Sequence, residues 1–288
     1  MHTNNHFLHQ PQDCIQSVEH PIGTYAENTL DISPTIGTIS VASWCSVRLI
    51  HEIVSTLGPQ KKELVRAVGF HGLLNFPSLK QINVQFSAWL MSRVDESSQS
   101  LHIGDGTRIH FSKDDIAMVF GIPSTGRSIL PKTPKHYSGD VTYELAAGQI
   151  NVKQLRSIKA AQAIVVRHHD GPMSLIEQDE FKAAFVVFVM SSLFAPCGKH
   201  DHVSEDYMHA IVHPGQIKSY DWAEYVMRRL LEAVSKLKAD LSSNIKTPYI
   251  YGCSLFLQVA PLRNIFLPMS FATIFKFIAP FFASISSC

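Results

Sequence analysis

KKELVRAVGFHGLLNFPSLKQINVQFSAWLMSRVDESSQSLHIGDGTRIHFSKDDIAMVFGIPSTGRS, from Lys61 to Ser128, is the stretch whose reading decides the fold. Leu64, Val65 and Val68 recur at helical spacing before Gly69, and Phe86, Trp89, Leu90 and Val94 repeat that spacing on a second segment. LHI and RIHF flank Gly104-Asp105-Gly106-Thr107, so two short β-runs meet at a glycine-containing turn and predict a small hairpin. Ser112 precedes KDDIAMVF with Asp115 at the third position of a capping box, and Gly121 and Pro123 end that helix. The order helix, helix, hairpin, helix sets the fold class as mainly α, a helical domain with a small β-hairpin insertion. Gly69, Phe70, Gly72, Trp89, Asp105, Gly106, Asp115, Gly121 and Pro123 are its structural motif positions. Nothing in the stretch pairs a nucleophile with its base, cradles a phosphate or spaces a metal set, so it specifies a fold module and no reaction.

Outward from this stretch, residues 1–43 lack any sustained period and predict a disordered N-terminal arm. Gln10 to Cys14, QPQDC, has the glutamine and Asp-Cys of cysteine-protease sites but no following glycine, and is read as coincidence. From Trp44 to Leu57 an apolar stripe through Val47, Ile50, Ile53 and Val54 predicts a helix, and Gly58-Pro59 stops it and starts the next. A Pro-, Gly- and Ser-containing loop over 127–149 divides the helical domain 44–264 into subdomains of about 44–126 and 150–264. A helix is expected from Val152 to His168, then a second capping box, Ser174 with Glu177, opens a helix apolar on all sides. Its uninterrupted apolar part, Ala183 to Val189, is far shorter than the ~18 residues a bilayer span needs, so it predicts a buried core helix. Asp221 with Glu224 caps a long amphipathic helix whose buried face is Trp222, Tyr225, Val226, Leu230, Ala233, Val234, Leu237 and Leu241. Its other face, Arg228, Arg229, Glu232, Lys236 and Lys238, is expected to be solvated, with Glu232 paired to Lys236. Gly252 to Val259 forms a further buried element, read as helix. Residues 265–288, IFLPMSFATIFKFIAPFFASISSC, are apolar, broken by Pro268, Lys276 and Pro280, and read as a non-native tail in preference to a membrane anchor.

Composition narrows the class. Hydrophobic residues make up 45% of the chain, enough for a real core in one large domain or two modest ones. Twenty-five Lys and Arg against 24 Asp and Glu leave a formal charge of +1, which gives no field to gather polyanions, so nucleic-acid binding is not supported by charge. Five cysteines, odd in number and without a CxxC pair, fit a reducing compartment, nucleus or cytoplasm.

The densest grouping of candidate ligands is His200, His202, Asp206, His209 and His213. On one helix Asp206, His209 and His213 would share a face, and imidazole with carboxylate suits zinc or iron. Pro214 interrupts that helix and no HExxH general base is present, so His200, His202, His209 and His213 are assigned to capping and surface roles, with no metal, no cofactor and no catalytic residue expected. His168, His169 and Asp170 lie beside a Gly-Pro turn, and Asp114 and Asp115 at a helix start, where structural roles account for them.

At VGFHGLLNFPSL, FSAWLMSRVD, LHIGDGTRIHF and DDIAMVFGIPSTGRSI the chain resembles the aminotransferase-like plant mobile domain family, in particular its transposon-derived members. FKAAFVVFVMSSLFAPCGKHDHVSEDYMHAI, YDWAEYVMRRLLEAVSKLKAD and YGCSLFLQVAPLRN look like the same proteins' continuation, so the resemblance covers roughly residues 45 to 264. It implies a largely helical, non-enzymatic, nuclear protein-interaction module linked to transposon biology or silencing, with unknown protein partners. The alternative it implies is the noncatalytic N-terminal fragment of a transposon-encoded SUMO-type cysteine protease, because many relatives join such a region to that domain. It supplies no catalytic residue, and the aminotransferase part of the family's name finds no cofactor lysine here. Relatives continue in polar sequence where this chain turns apolar after Leu262, and that departure implies truncation.

Overall fold

In a computed structural model, residues 40–104, 106–130, 155–196, 201 and 203–263 are described. Most of the arm expected over 1–43, Asp105, most of the loop 127–149, His200, His202 and the tail 265–288 lie outside them. The fold is mainly α with small sheets, as the sequence patterns predict.

Helix α1 (Val47–Thr56) buries Val47, Ile50, Ile53 and Val54, and Gly58 and Pro59 separate it from α2 (Pro59–Ala67), with the proline at the first helical position. Helix α3 (Val84–Ser92) starts where the Asn83 side chain accepts the Phe86 amide at 2.9 Å. Val94 does not continue it. Arg93 closes the helix, and Val94–Asp95 form strand β2, because the Asp95 carboxylate accepts the amide and hydroxyl of Ser97 and turns the chain back. The predicted hairpin, β3 (Ser100–Ile103) with β4 (Thr107–His110), is therefore part of an antiparallel sheet ordered β2-β3-β4. Helix α4 (Lys113–Phe120) has the predicted capping box: the Asp115 carboxylate accepts the Ser112 amide at 2.7 Å, and Gly121 ends the helix at φ +59°.

In the second half, α5 (Ile158–Val166) stops two residues short of the expected end, since Arg167 is extended. Helix α6 (Leu175–Val189) carries the Ser174–Glu177 capping box and continues as a π-type turn over Met190–Phe194. Every residue from Ala183 to Val189 is fully buried, which explains why no polar stripe marks this helix. A short helix α7 (Met208–Ile211) lies between 3₁₀ turns at Glu205–Tyr207 and Pro214–Ser219. Helix α8 (Trp222–Ser242) buries the whole predicted apolar face, and α9 (Ser254–Arg263) forms the last element.

The polar face of α8 differs from its expectation. Glu232 pairs with Arg228 and Arg229, not with Lys236, which pairs with Asp240. Lys238 donates to the Val94 carbonyl at 2.5 Å and to Glu96 at 2.7 Å, so part of this face fastens the sheet to the helix instead of meeting solvent.

The two halves share one core. Helices α3 and α4 pack on α8 and α9, and α2 packs on α6. Two short parallel ladders also join them: β1 (Ala42–Ser43) with β7 (Tyr249–Ile250), and β5 (Arg127–Ser128) with β6 (Tyr220–Asp221). Among the described residues no helix is long and apolar enough to cross a membrane.

Candidate interaction site at a glycine crossing

The motif positions of the Lys61–Ser128 stretch converge where the turn after α2 meets the end of α4. A Cβ on Gly72 would lie 2.2 Å from the Phe120 carbonyl oxygen, and one on Gly121 would lie 2.6 Å from the Gly72 Cα. The Gly72 amide donates to the Gly121 carbonyl at 3.3 Å, so two backbones touch with no room for a side chain between them. Gly69 lies against Pro123, and Phe70 packs edge-on to Trp222, ring centroids 5.6 Å apart. Asp115 stays with its cap. Trp89 and Gly106 are elsewhere: Trp89 stacks on Phe86 at 5.9 Å with the Arg93 guanidinium 5.4 Å from its ring, and Gly106 is in the hairpin turn.

Beyond the crossing, the loop from Gly121 to Gly126 is fastened to the start of α8. The Ala223 amide donates to the Pro123 carbonyl at 2.9 Å, and Lys113 donates to the Ser124 carbonyl at 3.0 Å and to the Asp221 carboxylate. Asp221 is buried and also accepts the Glu224 amide at 2.9 Å, so one carboxylate caps α8 and neutralises a lysine of α4. The Asp221 carboxylate raises the Lys113 pKa. Gly126, at φ +113°, crosses the Ser219 carbonyl so closely that a Cβ would lie 2.2 Å from its oxygen.

That crossing delivers Arg127 to the surface. Its Nη2 donates to Gln216 Oε1 at 2.7 Å and to Ser219 Oγ at 3.0 Å, and its guanidinium lies 4.3 Å from the Tyr220 ring centroid. On the same ring His209 packs edge-on at 5.9 Å. Burial holds His209 below the ordinary imidazole range, with the Arg127 charge acting in the same direction, and its Nδ1 has no hydrogen-bond partner.

The candidate ligand set does not form the expected helical face. Asp206 is in the turn before α7 and accepts from Ser204 at 2.8 Å, Arg229 at 3.3 Å and the Tyr225 hydroxyl at 3.4 Å. His213 precedes the Pro214–Ser219 turn, because α7 spans only four residues before Pro214 re-forms the chain. Among the described residues no three His, Cys, Asp or Glu side chains are grouped to hold a metal. His168 pairs with Asp170 at 3.4 Å in an exposed turn.

Two surface features carried no sequence signal. Trp44 and Tyr249, distant in the chain, stack at 6.2 Å beside the β1–β7 ladder and stay partly exposed. At the tip of the α5–α6 hairpin Val166, Leu175 and Ile176 are exposed, Leu175 at 79%.

A family model described as Domain of unknown function (DUF8566) matches residues 43–258. No curated protein and no solved structure matches the chain.

Proposed function

From the membership of this chain in the DUF8566 family, a family defined without an activity, we propose a function read from its surface: a noncatalytic protein-interaction module. The observation that carries this is the tip of the α5–α6 hairpin, where Val166, Leu175 and Ile176 present aliphatic surface to solvent. The sequence resemblance to transposon-derived plant mobile domain proteins adds the setting: the nucleus, in transposon biology or silencing.

The test is proximity labelling in plant nuclei with the full chain and with a Leu175→Asp/Ile176→Asp variant. Both side chains are on the surface, so the variant is expected to melt within a few degrees of the parent and to lose a reproducible set of labelled proteins. Identical labelling by both proteins overturns the reading. Turnover of a peptide or phosphate substrate that one point substitution abolishes overturns it as well.

A further inference from the structure

We propose that Asp170–Gly171, in the turn between α5 and α6, is a modification site at which the main chain reroutes through the aspartyl side chain to give isoaspartate. The proposal goes beyond the interaction reading and holds whatever binds the hairpin tip. Attack of a backbone amide on the preceding carboxyl meets least steric resistance where the amide belongs to a residue without a Cβ. Asp-Gly occurs twice in the chain, at Asp105–Gly106 and Asp170–Gly171. The surroundings of the second pair leave it free to react. The Asp170 side chain is fully exposed, and its one ionic contact among the described residues is His168 Nδ1 at 3.4 Å, itself 88% exposed, so the pair holds the carboxyl weakly. Nothing lies within 4 Å of a Cβ built on Gly171, and among the described residues its amide has no hydrogen-bond acceptor. Other carboxylates are engaged: Asp95, Asp115 and Asp221 accept amides and precede Glu96, Ile116 and Trp222.

The reaction needs water alone. The Gly171 nitrogen attacks Cγ of the protonated Asp170 carboxyl, the N–Cγ bond forms, and the carboxyl hydroxyl leaves with the amide proton as water, giving a five-membered succinimide. Water then opens the ring at Cγ, which restores aspartate, or at the main-chain carbonyl, which leaves the chain running through Cγ with a free α-carboxylate. That product has one more methylene in its main chain. The turn is held on both sides: Lys61 donates to the carbonyls of Val165 and Arg167 at 2.7 and 2.6 Å, and the Met173 amide donates to Gln60 Oε1 at 3.1 Å. Extra length between Arg167 and Met173 is therefore taken up in the turn, beside exposed Val166 and Leu175. The free α-carboxylate, unlike an aspartyl side chain, is a substrate for a repair carboxyl methyltransferase that uses S-adenosylmethionine.

The experiment ages the full chain in neutral buffer beside a synthetic peptide of residues 167–173. Isoaspartate is located by peptide mapping with electron-transfer fragmentation, and methyl transfer to the undigested protein by a purified protein isoaspartyl methyltransferase is followed in parallel. Isoaspartate is expected at Asp170 at a rate within about tenfold of the peptide's, as an unrestrained turn requires. Gly171→Val should slow it by about tenfold or more, because a branched Cβ crowds the attacking nitrogen. Asp170→Glu, which would have to close a six-membered ring, should remove most of the methyl transfer. Both variants change exposed positions and should melt with the parent. A rate at Asp170 more than about tenfold below the peptide's overturns the proposal, since it shows the turn held against cyclisation. So does isoaspartate confined to Asp105, or methyl transfer undiminished by Asp170→Glu. The parent chain and the peptide decide the matter even if a variant fails to fold.

Discussion

At Gly72 and Gly121 the absence of a Cβ sets how closely two segments approach. Alanine at either position forces backbone atoms apart, and at Gly121 it also meets a left-handed backbone. Each substitution is expected to lower stability by about 2 kcal/mol or more, read from chemical denaturation, whereas Gly171→Ala, with open space around it, should change stability by under ~1 kcal/mol. Lys113 gives a pH test at the same scale. Its folded pKa is raised by Asp221, so its contribution is fully present below the ordinary lysine range and is lost as pH rises through the folded value. Lys113→Met should therefore flatten the alkaline limb of the stability profile above about pH 10, measured by thermal melts across that range. The sequence marked these glycines as motif positions, because turns and helix ends announce themselves locally. That Gly72 touches Gly121 was not legible, since glycine leaves no chemical trace of the segment it will meet.

Helices were read well where their ends and stripes are local. The Ser112–Asp115 and Ser174–Glu177 capping boxes and the buried stripe of α8 all form as the spacing predicts. Two of the misses have a partner distant in the chain: Lys238 reached back to β2, and Asp206 was taken up by α8 instead of joining His209 and His213. Val94 left the helical period for a local reason, the Asp95–Ser97 turn that folds β2 onto β3. The cap of α6 yields a prediction of its own. Backbone and hydroxyl donors of Ser174 hold the Glu177 carboxyl below its ordinary range, so its contribution is present above the unfolded value of about 4.3 and fades as pH falls through the folded one. Glu177→Gln should reduce the acid-side loss of thermal stability and leave the alkaline side unchanged.

For the molecule as a whole, the predicted mainly α class stands, and the two stretches on either side of the 127–149 loop bury their apolar faces against each other. Helix α9 shows why separation is costly: Leu255, Phe256, Leu257 and Val259 are all buried, with Phe256 edge-on to Phe111 from the first half at 5.7 Å. Residues 40–130 and 155–263 made as separate chains are expected to lack cooperative melting alone and to regain it when mixed, as seen by calorimetry. Independent melting of either piece would show that it holds a core of its own.

The β1–β7 ladder ties Ala42 to Tyr249 across nearly the full described length of the chain. Closing so long a loop costs entropy that two residue pairs recover only after the intervening helices have condensed, so this ladder belongs to the end of the folding reaction. Trp44 stacks on Tyr249 at that closure, which makes its fluorescence a clock for the final step, later than the burial of Trp222 in the interior.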